Sequence, residues 1–109
     1  MAELDRDRAA EVVIDTRYDP AGVPIVTVSG EVDVSNAAQL QATVASIIAK
    51  QPKRLIFSLS GLRYMDSAGI AVLLDASAKV EAVQLRDPSP AVRRVIEITG
   101  LASVLSIES

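Results

Sequence analysis

An α/β fold, a mixed β-sheet with helices packed mainly on one face, is predicted by three features of this 109-residue chain. Short apolar runs of strand character alternate with stretches whose apolar residues recur at helical spacing. Proline and glycine clusters mark the boundaries between them. The resulting order is strand, strand, helix, strand, helix, strand, helix, strand, which requires crossover connections in a sheet. Half of the residues are hydrophobic, enough for one modest core in a single domain over residues 11–109.

Residues 1–10 alternate acidic and basic side chains without periodic apolar positions, and a flexible, solvated lead-in is expected there. Val12-Val13-Ile14 and then Val23 to Val32 read as two strands. Between them Asp19-Pro20-Ala21-Gly22 has turn chemistry, so the chain opens with a hairpin. From Ser35 the period changes: Ala37, Leu40, Val44, Ile47 and Ile48 form one helical stripe, with Ser35 or Asn36 able to cap its start. Pro52 ends that helix, and the nearly continuous apolar run Leu55 to Leu59 suits a buried central strand.

Gly61 to Asp66 reads as a loop. From Ser67 a second helix is expected, with Ile70, Leu73, Leu74 and Ala78 on its inner face. Ala82 to Arg86 is the next strand, followed by Asp87-Pro88-Ser89-Pro90, which supplies a turn, a capping serine and a proline for the first helical position. Val92, Val95 and Ile96 then mark the inner face of a third helix, Gly100 stops it, and Val104 to Ile107 forms a last short strand.

Composition removes whole classes of chemistry. The chain has neither histidine nor cysteine, so a Ser-His-Asp triad, a thiolate nucleophile, a disulfide and a thiolate metal site are all excluded. No metal or other cofactor is expected, and no enzyme. Fourteen acidic and eleven basic residues give a formal charge of −3, and only Tyr18, Phe57 and Tyr64 are aromatic, which argues against direct nucleic-acid binding. No apolar run reaches membrane-spanning length and the N-terminus has no secretory signal pattern, so a cytoplasmic protein without membrane insertion is expected.

Three separated segments carry a family resemblance: Gly30-Glu31-Val32-Asp33; Leu62-Arg63-Tyr64-Met65-Asp66-Ser67-Ala68-Gly69-Ile70; and Pro88-Ser89-Pro90-Ala91-Val92-Arg93-Arg94 with Gly100-Leu101. Together they resemble a STAS domain, and among these the bacterial anti-sigma factor antagonists. The resemblance implies that an anti-sigma factor, itself a serine kinase, binds the unphosphorylated protein and thereby frees a sigma factor. It implies phosphorylation at Ser67, recognition through Asp33, Asp66, Ser67, Ala68 and Gly69, and a phosphatase that resets the cycle. An alternative is an unphosphorylated STAS scaffold, in a transporter-associated or other signalling complex. Two departures bear on this choice. The chain is shorter between Ser67 and Ser89 than the family pattern by about one helical turn and lacks the glycine turn that usually ends that helix, so an early helix stop is expected. It also ends just after the last strand, where family members commonly continue into a further helix.

The residues themselves make the switch chemically reasonable. Ser67 stands where a loop meets an apolar-striped helix, so its hydroxyl can be exposed while later side chains are buried. Gly69 is expected to let a partner's backbone approach closely. Phosphorylation would add roughly −1.5 to −2 charges beside Asp66 and Asp33. Ordinary helix capping also explains an Asp-Ser pair at a helix start. Glu31 and Arg93-Arg94 read as solvated surface, and Ser89 as a cap rather than a second phosphorylation site.

Overall fold

A computed structural model describes residues 11–108; the expected lead-in over residues 1–10 lies outside them. Strands β1 (Val12–Tyr18) and β2 (Pro24–Val32) form the opening hairpin, antiparallel from Val12↔Gly30 to Tyr18↔Pro24. One Asp19 carboxylate oxygen accepts from the N–H groups of Ala21 at 2.8 Å and Val23 at 2.9 Å, and Gly22 takes the left-handed φ of +84° that closes the turn. Helix α1 (Ala37–Ile48), strand β3 (Arg54–Ser58), strand β4 (Leu62–Met65) and helix α2 (Ser67–Lys79) follow. Strand β5 (Ala82–Arg86), helix α3 (Pro90–Ile98), a 3-10 turn over Leu101–Ser103 and strand β6 (Ser106–Glu108) complete the order.

The six strands form one mixed sheet in the order β1-β2-β3-β5-β6, and all pairings beyond the hairpin are parallel. The predicted mixed sheet with helical crossovers is the observed fold. Strand β3 pairs with the first half of β2 and β4 with its second half, so these two short strands follow one another along the same side of β2. Between them β2 bulges at Gly30/Glu31. Gly30 has φ +96° and donates to the Gly61 carbonyl at 2.9 Å, and a β-carbon there would collide with the Glu11 carbonyl oxygen.

The core is aliphatic around Phe57, as the composition requires. Val26, Val28, Leu55, Phe57 and Leu85 from the sheet, with Leu59 just after β3, meet Leu40 and Val44 of α1, Leu73 and Ala76 of α2, and Val92 and Ile96 of α3 in one cluster. Central strands buried over successive residues, such as Leu55-Ile56-Phe57, are what a parallel sheet produces. Among the described residues no helix is long and apolar enough to cross a membrane, and no group of histidine, cysteine, aspartate or glutamate could hold a metal ion.

Several boundaries differ from the sequence reading, each for a physical reason. Leu62–Met65 is a strand, not a loop: its inner residues are the two ends, Leu62 and Met65, so the alternation that marks a strand is absent. The stop of α2, expected early for want of a glycine turn, falls with two residues left before the strand that begins at Ala82. The helix runs to Lys79, and Val80 turns directly into extended backbone at φ −118°, ψ 134° with its side chain buried, so no left-handed glycine is needed. Leu74 and Ala78 are exposed; the inner face of α2 is Gly69, Ile70, Val72, Leu73 and Ala76. The last strand starts at Ser106, because the 3-10 turn carries Val104 out to solvent.

Ser89 caps α3, accepting from the Val92 N–H at 3.2 Å, with Pro90 in the first turn. Ser89→Ala is expected to cost about 1 kcal/mol and to lower the melting temperature by about 4–8 °C, readable by circular dichroism. On α2, Asp75 takes Lys79 as an ion-pair partner at 3.1 Å and accepts from Gln41 of α1 at 3.3 Å. Lys79, with Gln41, holds the Asp75 carboxyl below its ordinary pKa, so this tie between the helices is weakened only in acid.

Candidate functional site

The register of two parallel strands builds the site. Val32 is paired with Met65 at the carboxyl ends of β2 and β4, and the Asp66 N–H donates to the Val32 carbonyl at 3.1 Å. Asp33 and Asp66 therefore leave the sheet side by side, at the strand ends where open α/β sheets place their sites.

Asp66 is the N-cap of α2. Its carboxylate accepts from the Ala68 N–H at 2.9 Å, and its carbonyl accepts from Ile70 at 3.0 Å. The capping role that an Asp-Ser pair leaves ambiguous in sequence thus falls to Asp66 alone. Ser67, the first helical residue, is exposed, and its hydroxyl makes no hydrogen bond among the described residues. Seven residues on, Leu74 is 50% exposed; with Ala71 and Ala78 it continues the line from Ser67 down the solvent face of α2.

Asp33 lies in a compact turn after β2. Its carboxylate accepts from the N–H of Ser35 at 2.8 Å and from the Ser35 hydroxyl, and its carbonyl accepts from Asn36 and Ala37 at 3.1 and 2.9 Å. Beneath it Asn36 is 3% exposed, the buried polar residue of the described chain. Asn36 occupies the N-cap position of α1 but does not cap it with its side chain. Instead its side-chain oxygen accepts from the Asp33 N–H at 3.0 Å, and its amide donates to the Glu31 carbonyl at 2.9 Å. The sequence named Asn36 only as a cap; its structural task is to fold the Asp33 turn back onto β2. Val34, at the crest of that turn, is 83% exposed.

Ala68 is half-buried and its N–H is taken by Asp66. Gly69 is buried, and here the expected reason for a glycine is corrected. A β-carbon at this position would press into Met65 Cγ and lie 2.9 Å from Met65 Sδ and 3.0 Å from Val32 Cγ1, so the space is filled from inside rather than left for a partner's backbone. Gly69→Val is expected to lose about 1–3 kcal/mol by overpacking, measurable by chemical denaturation, and equal stability would refute this account. Glu31 pairs at 3.7 Å with exposed Arg63, and Arg93 at 3.4 Å with Glu97, consistent with solvated surface.

Comparison with known proteins bears directly on this arrangement. The model of the STAS domain family matches residues 16–109. The chain belongs to the STAS domain family. A relative from Paenibacillus polymyxa, an anti-sigma F factor antagonist, is 33% identical over 90-odd positions, which cover 79% of this STAS chain and 78% of the relative. The crystal structure of an anti-sigma factor antagonist from Mycobacterium paratuberculosis superposes with a TM-score of 0.83 at 28% identity, covering 90% of this chain and 86% of that one. The anti-sigma factor antagonist SpoIIAA shares the fold at 22% identity. Its unphosphorylated form matches with a TM-score of 0.76 and its phosphorylated Bacillus form with 0.70, over 89% of this STAS domain and 89% and 92% of those chains.

Proposed function

We propose that this STAS domain is an anti-sigma factor antagonist: unphosphorylated, it binds an anti-sigma factor that is also a serine kinase and so releases a sigma factor, and phosphorylation of Ser67 switches the binding off. The observation that carries the reading is the exposed Ser67 hydroxyl at the first position of α2, left without a hydrogen bond among the described residues because Asp66 does the capping. A kinase can reach such a hydroxyl without unfolding anything. The names of the relatives support the class of partner.

The neighbouring surface suits both halves of the cycle. Val34, in the turn after β2, and Leu74, two turns along α2 from Ser67, offer exposed apolar contacts that a protein partner can cover. Asp66 precedes Ser67 and Asp33 leaves the neighbouring strand end, and both contribute to recognition; a phosphate on Ser67 concentrates negative charge where the partner must approach. The domain itself tolerates the phosphate, because a helix N-terminus favours an anion by about 0.3–1 kcal/mol. The switch therefore alters the binding surface rather than the fold, a phosphatase restores it, and the cycle runs in the cytoplasm.

The test is incubation with the cognate anti-sigma kinase and ATP, read by intact mass and peptide mapping. A single phosphate on Ser67, accompanied by release of the kinase, is the expected result. Ser67→Ala should gain no phosphate and still bind. Persistent binding of the fully phosphorylated protein, or phosphate mapped to another residue, would overturn the proposal.

A further inference from the structure

We infer that the trough between the free edge of β1 and the C-terminal half of α1 is a docking site for an extended acidic peptide segment of a partner protein, at the end of the sheet away from Ser67. Among the described residues strand β1 pairs only with β2, so its outer edge offers seven residues of backbone for an added strand. Alongside that edge runs a cleft of about 490 Å³ lined by Thr16 and Tyr18 of β1 and by Thr43, Ser46, Ile47 and Lys50 of α1. A strand edge flanked by a helix, with a channel between them, is the geometry in which a peptide adds to a sheet and drops alternate side chains into the channel.

The charge at one end of the trough selects the occupant. Tyr18, Ile47 and Lys50 also line an adjoining cleft walled by Pro24 and Pro52, and this passes into a third lined by Lys53 and Arg54. No carboxylate lines any of the three. Lys50, Lys53 and Arg54 are exposed and make no ion pair among the described residues, whereas Arg17, Arg63, Lys79, Arg86 and Arg93 each have a carboxylate within 4 Å. Three cations within five positions, without a carboxylate partner among the described residues, form a local positive field that complements carboxylates. Tyr18, 53% exposed, supplies a rigid amphipathic contact at the same point.

Thr16, on the switch-ward side of the trough, registers with Val26, so seven residues of β2, roughly 23 Å at strand rise, separate it from Asp33. The surface is therefore available while Ser67 is covered, and the inference stands or falls independently of the phosphorylation switch.

The experiment pans a random ten-residue peptide display library on the wild-type protein and on Lys50→Glu/Lys53→Glu/Arg54→Glu, a variant whose changes are all exposed and whose melting curve verifies folding. Peptides enriched in Asp and Glu on wild type but not on the variant are expected. The best of them, synthesised and labelled, should lose at least tenfold in affinity on the variant and none on Ser67→Glu. Its binding should slow amide hydrogen exchange along Val12–Tyr18. Absence of acidic enrichment overturns the inference, as does peptide protection at the start of α2 instead of β1. Self-association that is abolished by the triple variant would assign the trough to a second copy, and binding to anionic phospholipid vesicles without acidic-peptide enrichment would assign it to a membrane; either result also overturns it.

Discussion

Ser67→Glu is expected to bind the anti-sigma partner at least tenfold more weakly than Ser67→Ala, with both variants melting within a few degrees of wild type. The two changes share an exposed site and a loss of the hydroxyl, and they differ in charge. A carboxylate introduced at Ser67 joins Asp66, which caps the same helix, and Asp33, which leaves the neighbouring strand end. A partner surface that accommodates the two native carboxylates then meets a third charge, and like charges brought together in an interface cost several kcal/mol. The fold is spared because no hydrogen bond among the described residues uses the Ser67 side chain, while the α2 macrodipole favours the added anion. Calorimetric titration at low and high salt checks this: the gap between the variants should narrow as salt screens the repulsion. Equal affinities for Ala, Glu and enzymatically phosphorylated protein would remove charge as the mechanism.

Asn36→Ala is expected to destabilise the domain by about 2–4 kcal/mol, more than any other single polar change around the site. Truncation leaves the Glu31 carbonyl and the Asp33 N–H without the partners they have at 2.9 and 3.0 Å, in a place where Asn36 itself is 3% exposed. Each group abandoned in this way costs about 1–3 kcal/mol. At about 4–8 °C per kcal/mol the melting temperature should fall by at least 8 °C. Asn36→Asp keeps the acceptor for the Asp33 N–H but has no amide to donate to Glu31, so it should fall between wild type and alanine. The two equilibrium stabilities, measured by denaturant titration, decide the matter; a loss below about 1 kcal/mol for alanine would mean that water replaces the side chain without penalty. Since Asp33 sits in the turn that Asn36 holds, the alanine variant should also bind the partner more weakly at temperatures where it remains folded.

Much of the molecule was legible before folding because its signals are local. The Asp19 turn and the Ser89-Pro90 helix start are encoded by side chains that bond to backbone a few residues away, and both appear where expected. The three buried residues of α1, Leu40, Val44 and Ile47, follow from helical spacing alone. The motif around Ser67 also came from the chain itself, though in sequence its capping and regulatory meanings could not be separated.

What the tertiary structure decided depends on residues distant in the chain. Leu62–Met65 became a strand because the second half of β2, beyond the Gly30 bulge, offered it a partner; four residues without alternation carry no such signal alone. Helix α2 settled on the face centred on Gly69, Leu73 and Ala76 because Met65 and Val32 accept nothing larger than glycine at its start, and this turned Leu74 out to solvent on the same face as the serine. Asn36 acquired its place from a strand end and a turn, not from helix capping. The sequence alone determined the order of the helices and of every strand but β4, the Asp19 turn and the Ser89 cap, since these rest on bonds within a few residues. Only the packed sheet decided that Leu62–Met65 is a strand, which face of α2 meets solvent and how Asp33 comes to stand beside Asp66, because those outcomes require β2 and β4 to pair across about thirty residues of chain.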